Sequence, residues 1–351
     1  MPERTLRIGM IGCGEISNKA TALGIAAATN ARLEMAMDVR EEIAADMGEQ
    51  YDVPHTTDLD ELLGNEYVDA VYIATPHYLH APLSIRALEA GKHVLVEKPI
   101  ATRLEDADAM LAKARETGCK LYVAYSAQVS DEMVQLRDWI GQGMLGRVTG
   151  VHIVYRSDKD PSYWHGGFTL RVHDEWRKYL DKAGGGPLIM NTVHDLNTMR
   201  FLTCLEAARV YAEYDTFTTP GIEVEDYITV LIRYQNGAIG SLEAGCTLAG
   251  RDPIGAANRI YGEKGQVIFR HEVPQIYLRE SWGEVPGGEW WEMPAQEREP
   301  APRKAMIEKF ARSVVERVDI AATGWDGRQA LEIIEAAYRS GRTHQAVDLP
   351  L

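Results

Sequence analysis

The chain has 351 residues, 45% of them apolar and 25% charged, with a formal net charge of −15. That length supports two cores rather than one. The acid excess and the lack of any basic run exclude nucleic acid and anionic membrane surfaces as expected partners, since both select for basic patches. Cys13, Cys119, Cys204 and Cys246 are far apart and make no CxxC pair. They form neither a disulfide framework nor a zinc signature, and no metal site is expected. The start, MPERTLRIGMIG, has no apolar stretch followed by a small-residue cleavage site. No apolar run reaches the roughly 20 residues of a membrane helix. The expectation is a soluble, cytoplasmic protein.

The first part of the chain alternates strand and helix. Strands are predicted over Leu6–Ile11, Ala31–Met37, Ala70–Ala74, His93–Val96 and Lys120–Ala124. Helices are predicted over Ile16–Thr29, Glu41–Tyr51, Tyr78–Ala90 and Arg103–Thr117. Strands separated by helices pair in parallel through right-handed crossovers, so residues 1–126 read as a doubly wound α/β domain. From residue 127 the pattern changes. Val148–Tyr155, Arg209–Tyr214, Tyr227–Tyr234, Ala238–Cys246, Arg259–Tyr261 and Gln266–Arg270 read as strands, and Asn236-Gly237 and Gly262–Gly265 as hairpin turns. Helices over Lys304–Arg317 and Gly327–Ser340 follow. Residues 127–351 therefore read as an α+β domain with a large, mostly antiparallel open sheet, whose C-terminal helices are candidates to pack back on the first domain. Tyr227–Tyr234 (YITVLIRY) is apolar at nearly every position, so neither face looks solvent-washed, and a homo-oligomer, dimer or tetramer, is expected.

Gly12-Cys13-Gly14-Glu15-Ile16-Ser17 follows the first strand and opens a helix. In a dinucleotide-binding fingerprint the first glycine makes the turn and the second admits the pyrophosphate. The third position takes a small residue, here Ser17. The helix N-terminus offers unpaired amides, so Gly12, Gly14, Glu15 and Ile16 are candidate cofactor contacts. Asp38 ends the second strand, where an acid bonds ribose hydroxyls and repels a 2′-phosphate. NAD is expected, with NADP the alternative that Arg40 keeps open. Ligands of such a sheet lie beyond the carboxyl ends of its strands. Two sharp exits fall there: Thr75-Pro76-His77-Tyr78-Leu79-His80, and Glu97-Lys98-Pro99 in HVLVEKP. Thr75, Pro76, His80, Glu97 and Lys98 join the cofactor candidates. Proline after Lys98 keeps that residue extended and aims the lysine; whether the bond is cis stays open.

GCGEIS, Asp38, the TP-x-x-x-H of residues 75–80 and VEKP together resemble the Gfo/Idh/MocA family, whose members include glucose-fructose oxidoreductase and inositol dehydrogenase. The resemblance runs to Thr323–Gly327 (TGWDG) and Ala336–Ser340 (AAYRS). It implies a Rossmann domain, an open-faced sheet domain, and hydride exchange between NAD(P) and a sugar-like alcohol or ketone. It matches Lys98 to the lysine that contacts the reacting oxygen. It matches His194, in GGGPLIMNTVHDLN, to the acid/base.

Three departures stand out. Many sugar-oxidising members carry aspartate where this chain has Met190, and commonly another where it has Asn197. After the last parallel strand, Tyr125-Ser126-Ala127-Gln128 replaces the frequent Asn and Arg. At helical spacing Asn191, His194, Asn197 and Thr198 share a polar face opposite Met190, Val193, Leu196 and Met199. His194 is expected to rest on Asn191 or on water. The segment Pro161–Lys182 crowds Tyr163, Trp164, His165, Phe168, His173, Trp176, Arg177 and Tyr179 together. It reads either as a packing loop or as a lid whose aromatic faces stack on a sugar ring. Substrate candidates are His80, Lys98, Tyr125, Gln128, Tyr163, Trp164, His165, Trp176, Arg177, Asn191 and His194; the catalytic pair is Lys98 and His194. The expected activity is an NAD-dependent dehydrogenase or reductase of a monosaccharide, inositol, related polyol or glycoside. A non-catalytic sugar or NAD sensor, and an enzyme that cleaves glycosides by transient oxidation, stay open.

Overall fold

The computed structural model describes residues 5–250, 257–270, 273–294 and 303–351. The first sheet holds β1 (Leu6–Ile11), β2 (Ala31–Met37), β3 (His55–Thr56), β4 (Ala70–Ile73), β5 (His93–Val96) and β6 (Leu121–Val123). Their order is β3-β2-β1-β4-β5-β6, all pairs parallel. This is the doubly wound order, whose direction reverses between β1 and β4 and opens a crevice at their carboxyl ends. β4 and β5 are buried at nearly every position, as strands covered on both faces must be.

The second sheet holds β7 (Val148–Arg156), β8 (Ala207–Asp215), β9 (Tyr227–Tyr234), β10 (Ile239–Gly245), β11 (Asn258–Gly262), β12 (Gly265–Arg270), β13 (Val273–Leu278), β14 (Trp290–Glu292) and β15 (Val347–Asp348). Their order is β14-β13-β12-β11-β7-β10-β9-β8-β15. β7 and β10 pair in parallel and the other neighbours are antiparallel. Both expected hairpins form, β9–β10 around Gly237 and β11–β12 around Glu263-Lys264. The apolar run of β9 resolves into alternation: Ile228, Val230, Ile232 and Tyr234 are buried, while Thr229, Leu231 and Arg233 are exposed. The pleat puts alternate side chains on opposite faces whatever their polarity, so Leu231 stands exposed in the single chain. β13, β14 and β15, the helix Asp131–Gly141 and the short helix Leu59–Gly64 lie outside the sequence-based expectation.

The described residues divide into two compact units. The first comprises Met1–Ser130, Pro161–Gly184 and Arg298–Arg328; the second comprises Asp131–Asp160, Gly185–Glu297 and Gln329–Leu351. The sequence pattern suggests one boundary at 126/127. The contacts instead draw the aromatic segment and the helix Lys304–Val315 into the unit of the parallel sheet. One reason is a buried ionic network. Glu97, 5% exposed, pairs with Arg303 and accepts from the Tyr72 hydroxyl, and Arg303 also donates to Tyr72 and, at 3.3 Å, to Thr21. Burial alone disfavours the guanidinium charge, but Glu97 and Tyr72 hold the pKa of Arg303 above its ordinary value.

Removing one partner of a buried pair strands the other charge. Arg303→Ala is therefore expected to cost about 3–5 kcal/mol in urea unfolding, whereas the apolar double variant Glu97→Leu/Arg303→Met recovers most of that loss.

Candidate functional site

The phosphate loop leaves β1 at Gly12, whose φ of +88° suits glycine. A Cβ there would lie 2.7 Å from the Ala74 carbonyl oxygen. The loop can turn over the end of β4 only without a side chain. Ser17 is fully buried and its hydroxyl donates to the Gly12 carbonyl, so the third position takes a serine by giving its oxygen a partner. The helix begins with a π-helical turn, Ser17–Thr21, and continues as Ala22–Ala27. Asp38, just past β2, accepts from the Cys13 amide at 2.8 Å and from the Arg40 amide at 3.0 Å. Burial, and secondarily Asp38, pushes the Cys13 thiol up to about 12, so it is no nucleophile.

Glu97 pairs with Arg303, and Lys98, at the bend that follows β5, is partly exposed. The Lys98–Pro99 bond is cis. Glu97 is engaged by Arg303 and Tyr72. His80 is fully buried, with Nδ1 2.7 Å from the Pro99 carbonyl and Nε2 3.0 Å from the Thr75 carbonyl. A neutral ring carries one N–H, so His80 donates to one of these carbonyls and lies against the other, between the β4 and β5 exits. His77, absent from the sequence-based candidates, is buried with Nδ1 2.9 Å from the Ala183 carbonyl and its ring 4.4 Å from that of Trp176. Burial lowers the pKa of both histidines, with each other's charge or that of Lys98 contributing. Both are neutral at pH 7, beside a lysine that supplies the positive charge.

Tyr125 and Gln128 follow β6 and are buried. The side-chain amide nitrogen and oxygen of Gln128 have no hydrogen-bond partner among the described residues, as suits a group that awaits a ligand. In the aromatic segment, Tyr163, Trp164 and Trp176 are buried, and the Arg177 guanidinium lies 5.0 Å from the Tyr163 ring and 4.6 Å from the Trp176 ring. His165 is exposed, 2.7 Å from Glu175. Phe168, 66% exposed, is the aromatic side chain left open here. The segment is fastened to the phosphate loop. Glu15 accepts from the Phe168 amide at 3.0 Å and pairs with Lys19, and Arg40 donates to the His173 carbonyl at 2.9 Å. The Glu15 and Arg40 side chains therefore both hold the aromatic segment. Most of the aromatic faces expected to stack on a sugar are spent in packing.

In the second unit the His194 helix opens with a π-helical turn, Leu188–Thr192, and continues over Val193–Thr203. Glu225 fixes its start, accepting from the Gly186 amide at 2.6 Å, the Leu188 amide at 3.1 Å and the Tyr338 hydroxyl at 2.9 Å. A Cβ on Gly186 would strike the Glu225 backbone carbonyl, so the glycine run exists for close approach. Asn191, His194, Asp195 and Thr198 are partly exposed, but Asn197 is fully buried and neither of its amide atoms has a partner among the described residues. The polar stripe follows the i, i+4 row from His194 to Thr198; at 100° per residue Asn197 lies about 60° from His194 and 100° from Thr198, and it is buried. Asn191 Oδ1 accepts from Lys159 Nζ at 2.6 Å rather than supporting His194. Lys159, buried at the end of the β7 extension, gave no signal in the sequence beyond a charged loop. Asp195 is held by Asn258 at 2.6 Å. Met190 is buried.

Two domain models of one family match the chain. "Oxidoreductase family, NAD-binding Rossmann fold" covers residues 6–125, and the "GFO/IDH/MocA C-terminal domain" covers 133–268. The chain belongs to the Gfo/Idh/MocA oxidoreductases. It is 29% identical to the 1,5-anhydro-D-fructose reductase of Ensifer adhaerens, with 98% of each chain covered. To the inositol 2-dehydrogenase of Rhizobium meliloti it is 28% identical, covering 96% of this chain and 97% of that one. Among solved structures, the aldose-aldose oxidoreductase from Caulobacter crescentus, complexed with glycerol, superposes with a TM-score of 0.84 at 26% identity, over 99% and 100% of the two chains. The residues of this Gfo/Idh/MocA chain fit a dinucleotide. Gly12 holds the turn, a Cβ on Gly14 would meet nothing closer than 3.9 Å, and the Asp38 carboxylate stands at the end of β2. No group of three or more potential metal ligands occurs among the described residues, and no described helix is long and apolar enough to cross a membrane.

Burial pushes Glu225 up to about 7, against its amide and hydroxyl donors. A carboxyl whose folded pKa lies above its unfolded value contributes stability that is full below about 4.5 and is lost as pH rises through about 7. The melting temperature of the wild type relative to Glu225→Gln is expected to fall between pH 5 and pH 8, by an amount equivalent to about 3 kcal/mol. Parallel melting curves across that range measure it.

Proposed function

We propose that the protein is an NAD-dependent dehydrogenase or reductase that exchanges a hydride with a secondary alcohol or ketone of a monosaccharide, inositol or related polyol. The observation that carries this reading is the β5 exit. There Glu97 pairs with Arg303 and Lys98 follows it beside the neutral pair His77 and His80, at the carboxyl edge of an NAD-binding sheet. The names of the full-length relatives, a reductase of an anhydro sugar and an inositol dehydrogenase, support the substrate class.

In this reading Lys98 donates a hydrogen bond to the reacting oxygen and stabilises the negative charge that develops on it. His194 takes the hydroxyl proton in oxidation and returns it in reduction. Bound NAD supplies the hydride acceptor. Asn191, Gln128, Tyr125, Trp176 and Arg177 place the substrate. Asp38 selects the 2′-hydroxyl of NAD, and Arg40, engaged with the His173 carbonyl, is drawn away from a 2′-phosphate. The reading includes a cytoplasmic location, which the four free cysteines support. It also includes a homo-oligomer, supported by Leu231 and Ile239, 51% and 54% exposed on adjacent strands.

Lys98→Met is expected to lower kcat about 10²-fold or more, as loss of an oxyanion donor does, with NAD affinity nearly unchanged. The assay is NADH formation from NAD with a panel of sugars, inositols and glycosides. If no compound yields NADH while sugars still raise the melting temperature, the sensor reading, which the buried Met190 favours, replaces this one. NAD is expected to bind at least about tenfold more tightly than NADP in a fluorescence titration, a difference of some 1.4 kcal/mol. Equal affinities would show that Arg40 turns to the phosphate.

A further inference from the structure

Within the first unit, the segment that leads from Tyr163 to Ala183 crosses the phosphate loop and is tied to it at several independent points. Besides the Phe168–Glu15 and His173–Arg40 bonds, Arg171 bridges two elements of the cofactor fold. Its Nε donates to the Cys13 carbonyl at 3.2 Å, and its Nη2 pairs with Asp46 on the helix Glu41–Tyr51 that follows β2. The Val172 side chain lies over Gly14, with Cγ2 3.9 Å from where a Cβ would stand. The far end is pinned by the His77–Ala183 bond. This arrangement puts a guanidinium against the loop whose amides are built for a diphosphate.

We propose that Arg171 is a cofactor-binding residue that contacts the diphosphate of the dinucleotide, and that the segment carrying it must lift for the cofactor to exchange. The inference rests on the reading of the first unit as the NAD-binding unit and adds a residue to it. The chemistry favours it in three ways. A guanidinium has five N–H groups in a planar fork. The Nε–H and one Nη2–H of Arg171 are engaged among the described residues, which leaves three for phosphate oxygens. The acid that holds Arg171 is itself half-exposed, with 54% of the Asp46 side chain accessible. A solvent-exposed pair of this kind is weak, whereas a guanidinium binds phosphate oxygens through charge-assisted, two-pronged hydrogen bonds. Finally, Arg171 already reaches the loop itself, its Nε–H held on the Cys13 carbonyl beside the fingerprint glycines.

The test uses the full-length protein and three variants, Arg171→Ala, Arg171→Lys and Asp46→Asn. Affinities for NADH, ADP and adenosine are measured by titration, and the NADH off-rate by stopped-flow displacement with excess ADP-ribose. Arg171→Ala is expected to weaken NADH and ADP by about tenfold or more, as loss of a charge-assisted contact does, to leave adenosine nearly unchanged, and to speed NADH release. Arg171→Lys, which keeps the charge and loses the fork, is expected to fall between the two. Asp46→Asn frees the guanidinium from its competitor and is expected to bind ADP at least as tightly as the wild type. It keeps the proposal falsifiable if Arg171→Ala does not fold, since weaker ADP binding by this variant would overturn it. Equal loss for adenosine and ADP would reduce Arg171 to a packing role and overturn the proposal, as would unchanged NADH affinity and off-rate. Wild-type protein that bound neither NADH nor ADP would overturn the cofactor reading and this inference with it.

Discussion

The buried carboxylate of Glu97 is the constraint from which the first unit is organised. It ends β5, a strand covered on both faces, where a lone charge would be untenable. Arg303 and Tyr72 make it tenable, and in doing so they seat the segment around Arg303 against the sheet. Lys98 follows directly, at the bend beyond the carboxyl end of the strand. His80 sits between the Thr75 and Pro99 carbonyls, its one N–H donating to one of them, and so lies between the exits of β4 and β5.

The second unit solves a similar problem with the same chemistry. Glu225 is buried, and the donors that satisfy it are the amides of Gly186 and Leu188 and the Tyr338 hydroxyl. A carboxylate thus takes up orphan donors at the start of the His194 helix, where backbone amides lack intrahelical partners. Each unit therefore carries a buried acid close in the chain or in space to its candidate catalytic residue. Both candidate-site helices also open with a π-helical turn, a feature that recurs where a helix is shaped for a ligand.

The second unit also shows how a departure in sequence is absorbed. Methionine at position 190 is buried, and the neighbouring Asn191 is held by Lys159. Lysine only donates, so it is the Asn191 oxygen that faces Lys159.

The sequence by itself determined the alternation of the parallel sheet, the phosphate loop, the place of Asp38 at the end of β2 and the two hairpins. Each is set by local rules: burial periodicity, the glycine at positive φ, the acid at a strand end, the turn residues between two strands. Only tertiary structure decided what His80, Glu97, Glu15 and Arg40 do. They are polar residues in the right neighbourhood, and their partners are the carbonyls of Thr75, Pro99 and His173, the Phe168 amide and the Arg303 guanidinium, up to about two hundred positions away. The same holds for the aromatic segment. Its composition suits a sugar platform, and composition does not say which face it covers; the contacts of Arg171 and Phe168 bring it onto the phosphate loop. Lys159 and His77 were illegible for the same reason, since a charge in a loop and a histidine in a turn acquire meaning only from what the fold sets beside them. Side-chain pairing between distant segments has no period and no fixed spacing, so it leaves no mark on the linear chain.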